Sequence, residues 1–153
     1  MRIRLTREPQ VEVVRELFQE YAASLAFPLD FQDFERELAE LPGEYATPRG
    51  ALLVAEVDGA PGGCAALRPL DSDTAELKRL YVRPAHRGRG LGRRLTTAIL
   101  AEARARRYRR VRLDTVPGME AAQALYRELG FREIPAYRPN PIAGATFLEL
   151  ELW

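Results

Sequence analysis

Cysteine occurs once in this chain, at Cys64, which excludes an internal disulfide and any metal site built on a cysteine cluster. Histidine also occurs once, at His86, with no partner motif; it reads as a solvated loop residue, and no Ser–His or Cys–His arrangement for covalent catalysis stands out. No metal site is expected. The longest apolar run, Ala51–Ala55, is far short of the ~20 residues that span a bilayer, so no membrane partner is expected. The first ten residues, MRIRLTREPQ, carry charge where a secretory signal needs an apolar stretch, so a cytoplasmic location is the expectation. Lysine is nearly missing: of 23 basic residues all but Lys78 are arginine. There is no internal repeat and no low-complexity tract.

The 153 residues (17.3 kDa) fit one domain, 1–153, long enough to bury roughly 68–70% of its unfolded surface. Hydrophobic residues at 46% and charged residues at 29% argue against a disordered chain. The net charge is +1, yet eleven arginines and a single acid, Glu102, lie between Arg83 and Arg112. Global balance with a local cationic block points to a site for a compact anion more than to a coat for polyanions.

Periodicity orders the elements. Ile3 and Leu5 mark a short strand. A helix from about Pro9 carries Val14, Leu17, Phe18, Tyr21 and Leu25, and ends at Pro28. A second helix from about Asp30 carries Phe31, Phe34, Leu38 and Leu41. Pro42-Gly43 and Pro48-Arg49-Gly50 bracket a loop. Strands are predicted at Ala51–Val57, Gly63–Leu70 and Thr74–Val82, the first two joined as a hairpin by a turn over 58–62. Gly90–Arg106 is a helix with a stripe of Leu91, Leu95, Ala98 and Ile99. Val111–Thr115 is a strand, and Glu120–Leu129 a helix closed by Gly130. Phe131–Ile134 and Thr146–Leu152 are the last strands. The order is β-α-α-β-β-β-α-β-α-β-β, an α+β layout around a mixed sheet.

The chemistry concentrates between Glu76 and Gly92. A strand ends at Val82, Pro84 stops it, and Gly88, Gly90 and Gly92 lead into a helix. Alternate glycines let backbone N–H groups approach a ligand, and the helix start adds unpaired N–H groups and part of a positive charge. With Arg87 and Arg89 this reads as a diphosphate cradle. It is not a P-loop, because Gly92 is followed by Arg93-Arg94 rather than Lys-Ser/Thr. Nor is it a dinucleotide fingerprint, because Arg93 holds the place of the third glycine; Asp114, a tempting ribose acid, lacks that context.

The run Arg87-Gly-Arg-Gly-Leu-Gly92 resembles the Arg/Gln-x-x-Gly-x-Gly/Ala signature of the GNAT superfamily of N-acetyltransferases. Leu80-Tyr-Val-Arg-Pro84 before it and Ala124-Leu-Tyr-Arg-Glu-Leu-Gly-Phe131 after it extend the likeness. The resemblance implies a three-layer α/β/α fold with a mixed, mostly antiparallel sheet of about seven strands and about four helices. It implies acetyl-coenzyme A as co-substrate, with Arg87, Gly88, Arg89, Gly90, Leu91 and Gly92 around its pyrophosphate. Leu80, Tyr81 and Val82 would bond the pantetheine arm and the acetyl carbonyl through the backbone. It also implies a strand bulge and a divergence from the next strand. Leu77 and Leu80 lie three apart, and one inserted residue near Lys78-Arg79 would put both on the core face.

Acetyl transfer to an amine needs an amine without its proton, a donor for the oxyanion, and an acid for the leaving thiolate. By resemblance Glu76 is the candidate base, with a strand-face carboxylate paired to Lys78 or an arginine as the alternative. Glu20, Asp30, Glu133 and Asp114 are rival acids. Tyr126 resembles the family tyrosine that faces the coenzyme sulfur; helical geometry puts it about 100° from Leu125, at the core's edge. Met119 stands where many relatives carry an asparagine that bonds the pantetheine. The segments 21–49 and 135–144, with Phe27, Phe31, Tyr45 and Tyr137, are expected to set specificity and favour a small amine or amino-acid-like acceptor. Cys64 reads as core, and Trp153 as an edge or homodimer contact. Two other readings stand beside this one: a coenzyme-binding sensor without chemistry, and a nucleic-acid binder using Arg83–Arg112. A pI of 7.9 and few interleaved aromatics count against the latter.

Overall fold

A computed structural model describes residues 2–29 and 33–153. The expected positions Asp30 and Phe31 lie outside the described residues. The elements are β1 (Ile3–Thr6), α1 (Val11–Ser24), α2 (Phe34–Glu40), β2 (Ala51–Val57), β3 (Ala60–Pro69), β4 (Thr74–Val82), α3 (Leu91–Ala105), β5 (Arg110–Thr115), α4 (Glu120–Glu128), β6 (Arg132–Ile134) and β7 (Thr146–Glu151). The seven strands form one sheet in the order β1-β2-β3-β4-β5-β7-β6, antiparallel everywhere except between β4 and β5. This is the mixed, mostly antiparallel sheet with four helices that the sequence implied.

The apolar run of β2 has a simple cause: both of its faces are covered. Ala51, Leu53, Ala55 and Val57 join a core with Leu91, Leu95 and Ile99 of α3 and Tyr126 of α4. Leu52 and Val54 join a second core with Val14, Leu17 and Phe18 of α1. The sheet is therefore a middle layer between α1/α2 and α3/α4. Phe34 and Leu38 of α2 pack against the second core, and Leu41 is buried in it, as their spacing predicts.

The hairpin is tighter than expected. Val57 pairs with Ala60, so only Asp58 and Gly59 turn the chain, and both take positive φ (50° and 87°). That geometry suits a two-residue Asp-Gly turn and carries the strand back through Pro61 and Gly62, which sequence reasoning left in the loop. Trp153 is 64% exposed.

Candidate active site

Two features of β4 open the sheet. The first is a bulge. Cys64 pairs with Tyr81 and Ala66 with Lys78, so β4 carries one residue more than β3 across this step, and Arg79 takes a φ of +60°. The extra residue puts Leu77 and Leu80 on the α3 face together, as their spacing implied. The second is divergence. β4 pairs with β5 only at Thr74, Ala75 and Glu76, opposite Arg110, Val111 and Arg112. Beyond that point a cleft of about 480 Å³ lies between the ends of the two strands. Leu80, Tyr81 and Val82 line it from β4, Asp114 and Thr115 from β5, and Ala122, Leu125 and Tyr126 from α4.

The glycine segment forms one end of this cleft. After a short 3-10 turn at Pro84–His86, Gly88 and Gly90 adopt φ values of +78° and +77°, and Gly90 caps α3. A side chain there would leave the favourable backbone region. A Cβ at either glycine would meet nothing within 4 Å, so the space beside both is open. Among the described residues, the N–H groups of Gly88, Gly90, Leu91 and Gly92 donate to no backbone carbonyl. The Arg87 side chain crosses the cleft wall, donating from Nε to the Val82 carbonyl at 2.9 Å with its guanidinium 5.9 Å from the Tyr81 ring. Arg87, Gly88, Gly90, Leu91 and Gly92 all line the cleft; Arg89 does not. His86, expected to be solvated, is half-buried; it lines the cleft and its Nδ1 is buried without a hydrogen-bond partner among the described residues.

Tyr126 stands deeper than its helical angle indicated. It is the buried residue of α4, packed at a centroid distance of 5.6 Å from Phe131, whose chain turns back under the helix after Gly130. Its ring belongs to the core and also lines the cleft. Burial pushes its hydroxyl well above the ordinary tyrosine pKa. Met119 caps α4 and lines the cleft, its sulfur 3.7 Å from Thr115 Oγ1. Asn140, which sequence reasoning did not single out, lines it too.

Glu76 is placed differently from a base that meets substrate. It is fully buried and is not among the residues lining the cleft. Oε1 accepts from Arg68 Nε (2.8 Å) and Arg138 Nη1 (3.1 Å); Oε2 accepts from the Tyr137 hydroxyl and lies 2.8 Å from Arg138 Nη2. The strand-face ion pair that the sequence offered as the alternative is thus what the carboxylate makes, with arginines. The rival acids are also engaged. Asp114 accepts from Arg138 (3.0 Å) and Asn140 (3.1 Å), and Glu20 from Arg83 (2.6 Å) and Tyr81 (3.3 Å). The Arg83 contact holds Glu20 below the usual carboxylate range. Glu133 is exposed on β6. Cys64 is core; its thiol donates to the Arg79 carbonyl at 3.3 Å, and burial pushes it up.

Five of the eleven arginines of the block are paired with acids among the described residues. Arg83 pairs with Glu16 and Glu20, Arg93 with Glu128, Arg106 with Glu102, Arg110 with Glu151 and Arg112 with Glu149. Apart from Glu102, these acids come from other parts of the chain, which is how a local cationic block coexists with a net charge of +1. No helix among the described residues is long and apolar enough to cross a membrane.

The acetyltransferase (GNAT) family model matches residues 12–131. An N-acetyltransferase of Schizosaccharomyces pombe is 36% identical over 138 residues, covering 89% of this chain and 85% of that protein. Among solved structures, a GNAT-family acetyltransferase of Staphylococcus aureus superposes with a TM-score of 0.81 at 20% identity, covering 99% and 100% of the two chains. The PaiA N-acetyltransferase of Thermoplasma acidophilum, in complex with coenzyme A, superposes at 0.75 with 16% identity, covering 99% of each chain. The chain belongs to the GNAT family of N-acetyltransferases.

Proposed function

We propose that this chain moves the acetyl group of acetyl-coenzyme A to the amine of a small, amino-acid-like acceptor by direct attack. One observation carries the reading: the splayed ends of β4 and β5, the open glycine loop and Tyr126 share a single cleft. The coenzyme complex of a protein with the same fold supports the choice of donor.

The residues present fit the coenzyme. Backbone N–H groups of Gly88, Gly90, Leu91 and Gly92, with the half-charge of the α3 N-terminus and the cation of Arg87, would hold the pyrophosphate, with Arg89 outside the cleft lining. Leu80, Tyr81 and Val82 have β3 on one side and the cleft on the other, so their backbone is placed to bond an extended pantetheine arm as a neighbouring strand would be bonded. When bound, the thioester supplies the activated acyl carbon.

The acceptor amine attacks that carbon in its neutral form, the tetrahedral oxyanion is met by a backbone N–H of β4, and the carbon–sulfur bond breaks. Tyr126 donates its proton to the departing sulfur; a hydroxyl that burial keeps protonated is suited to that task. Glu76 serves as a positioning residue. Locked between Arg68 and Arg138, it fixes the last paired step of β4 and the segment carrying Tyr137 and Arg138, so the acceptor's proton leaves to water through the open end of the cleft.

The test is thiol release from acetyl-coenzyme A over a panel of amines and amino acids, with mass detection of the product. Thiol release that depends on an amine and yields its N-acetyl product is expected. A chain that binds acetyl-coenzyme A but acetylates nothing in the panel would instead be a coenzyme sensor.

A further inference from the structure

Cations outnumber acids in the cleft. Lys78 and Arg79 line it from β4 and Arg87 from the glycine end, whereas Asp114 of β5 is the only carboxylate among the described residues that line it. The last paired step of β4 and β5 joins Glu76 to Arg112, so Asp114 lies two residues past it, where the strands have parted. Its neighbour Leu113 packs into the α3/α4 core, which turns Asp114 to the opposite face of the sheet, the face that Glu76 shares.

Asp114 ends a chain of alternating charge. Glu44 meets Arg68 at 2.6 Å, Arg68 meets Glu76 at 2.8 Å, Glu76 meets Arg138 at 2.8 Å, and Arg138 meets Asp114 at 3.0 Å. Three carboxylates against two guanidiniums leave one negative charge over within this chain. The Glu44 end, 65% exposed, gives onto solvent; the Asp114 end opens on the cleft. The nearby arginines are committed to other acids: Arg79 forks onto Glu37 of α2 at 2.8 and 2.9 Å, and Arg112 meets Glu149 of β7 at 2.7 Å.

Two donors fix the direction of the carboxylate. Arg138 donates to Oδ1, and Asn140 donates to Oδ2 at 3.1 Å. The Asn140 amide is held in turn, because its Oδ1 accepts the Ile142 N–H at 3.0 Å. A carboxylate has about four lone-pair sites, so one bond on each oxygen leaves room for another donor. Burial raises the hydroxyls of Tyr21 on α1 and Tyr126 on α4, and the charge of Asp114 adds to each, so both walls of the cleft feel it.

We propose that Asp114 is the receptor for the acceptor's amine, which docks as its ammonium. The proposal rests on the acetyl-transfer reading and narrows the acceptor class for the same cleft: an amine basic enough to arrive charged, rather than an aromatic amine or an aminooxy compound. A docked ammonium brings three N–H donors. One proton leaves to water, which frees the lone pair for attack, and a second N–H stays on Asp114 and keeps the nitrogen aimed.

The test uses the chain saturated with coenzyme A, which has no acetyl group to transfer, so binding is read without turnover. Calorimetric titration compares three amines with analogues in which oxygen replaces the carbon beside nitrogen: β-alanine with aminooxyacetate, n-butylamine with O-propylhydroxylamine, and phenethylamine with O-benzylhydroxylamine. The amines are charged at neutral pH and the aminooxy compounds are not. For at least one pair the amine is expected to bind at least ~10-fold more tightly, the worth of one charge-assisted bond. Asp114→Asn, which keeps the shape, should weaken that amine by at least ~10-fold and its analogue by less than ~2-fold.

The proposal is overturned if no amine of the three binds, if amine and analogue bind alike to the parent protein, or if Asp114→Asn keeps the preference. The comparison on the parent protein decides by itself should the variant not fold. Charge-dependent binding without any N-acetyl product would count against acetyl transfer and leave the receptor standing; product formation without that preference would do the reverse.

Discussion

Arg138 holds Glu76 and Asp114 at once: Nη2 lies 2.8 Å from Glu76 Oε2 and 3.0 Å from Asp114 Oδ1. The guanidinium thus ties the last paired residue of β4 to β5 just where the strands part, and the cleft begins where this clamp ends. Removing one member of a buried charge group leaves the others uncompensated. Glu76→Gln is expected to cost about 3 kcal/mol of stability, read as a lower denaturation midpoint in urea. The shape of the pH–rate profile should stay as in the parent enzyme. Loss of a limb of that profile would return Glu76 to the role of base.

The space beside Gly88 and Gly90 has a measurable consequence. At about 100 times its dissociation constant, acetyl-coenzyme A should stabilise the fold by about 2.7 kcal/mol, a rise in Tm of about 5–10 °C for a chain of this size. Gly90→Val should remove that rise. A β-branched residue at φ +77° costs about 1–2 kcal/mol by itself, so the unliganded variant should still fold. An undiminished Tm rise in the variant would show that the coenzyme does not lie against this loop.

Much of this layout was readable in the chain, for physical reasons that also mark where reading stops. The β4 bulge announced itself because Leu77 and Leu80 share a face at a spacing no regular strand allows. The glycine loop did so because left-handed backbone selects glycine. The start of β3 was hidden because Ala60, Pro61, Gly62 and Gly63 form a strand by pairing with β2 rather than by preference. Tyr126 was placed at the core's edge because its burial depends on Phe131 returning beneath α4, a contact the helix pattern does not contain. The enclosure of Glu76 comes from Tyr137 and Arg138, 61 and 62 residues away, and no local pattern encodes it. Lys78 did carry a signal, as the single lysine among arginines, yet composition alone could not say that it faces the cleft.

Tyr126→Phe isolates one hydroxyl. The ring fills the same space in the core, so stability should change little. Donation to the sulfur is lost, and kcat should fall by about 10²-fold while the affinity for acetyl-coenzyme A holds, measured by steady-state kinetics beside a binding titration. Because burial raises this hydroxyl, the parent enzyme should keep its rate above pH 10, where an exposed tyrosine would already be ionising. Unchanged kcat in the variant would show that the hydroxyl is idle.

Lys78 should also write its burial into stability. The unfolded chain holds the lysine proton up to about pH 10.4, whereas the folded protein gives it up near 7. Between those values the unfolded state binds more protons, so stability rises with pH across the window. Below 7 both states are charged, and the fold bears the cost of holding an ammonium at a largely buried site. Comparison with Lys78→Met removes the contributions of other groups. The methionine variant should be the more stable by on the order of 3 kcal/mol at pH 6, and the gap should close as pH approaches 10. Urea midpoints at pH 6, 8 and 9.5 read this directly; a gap that does not change with pH would mean that the folded lysine keeps its proton throughout.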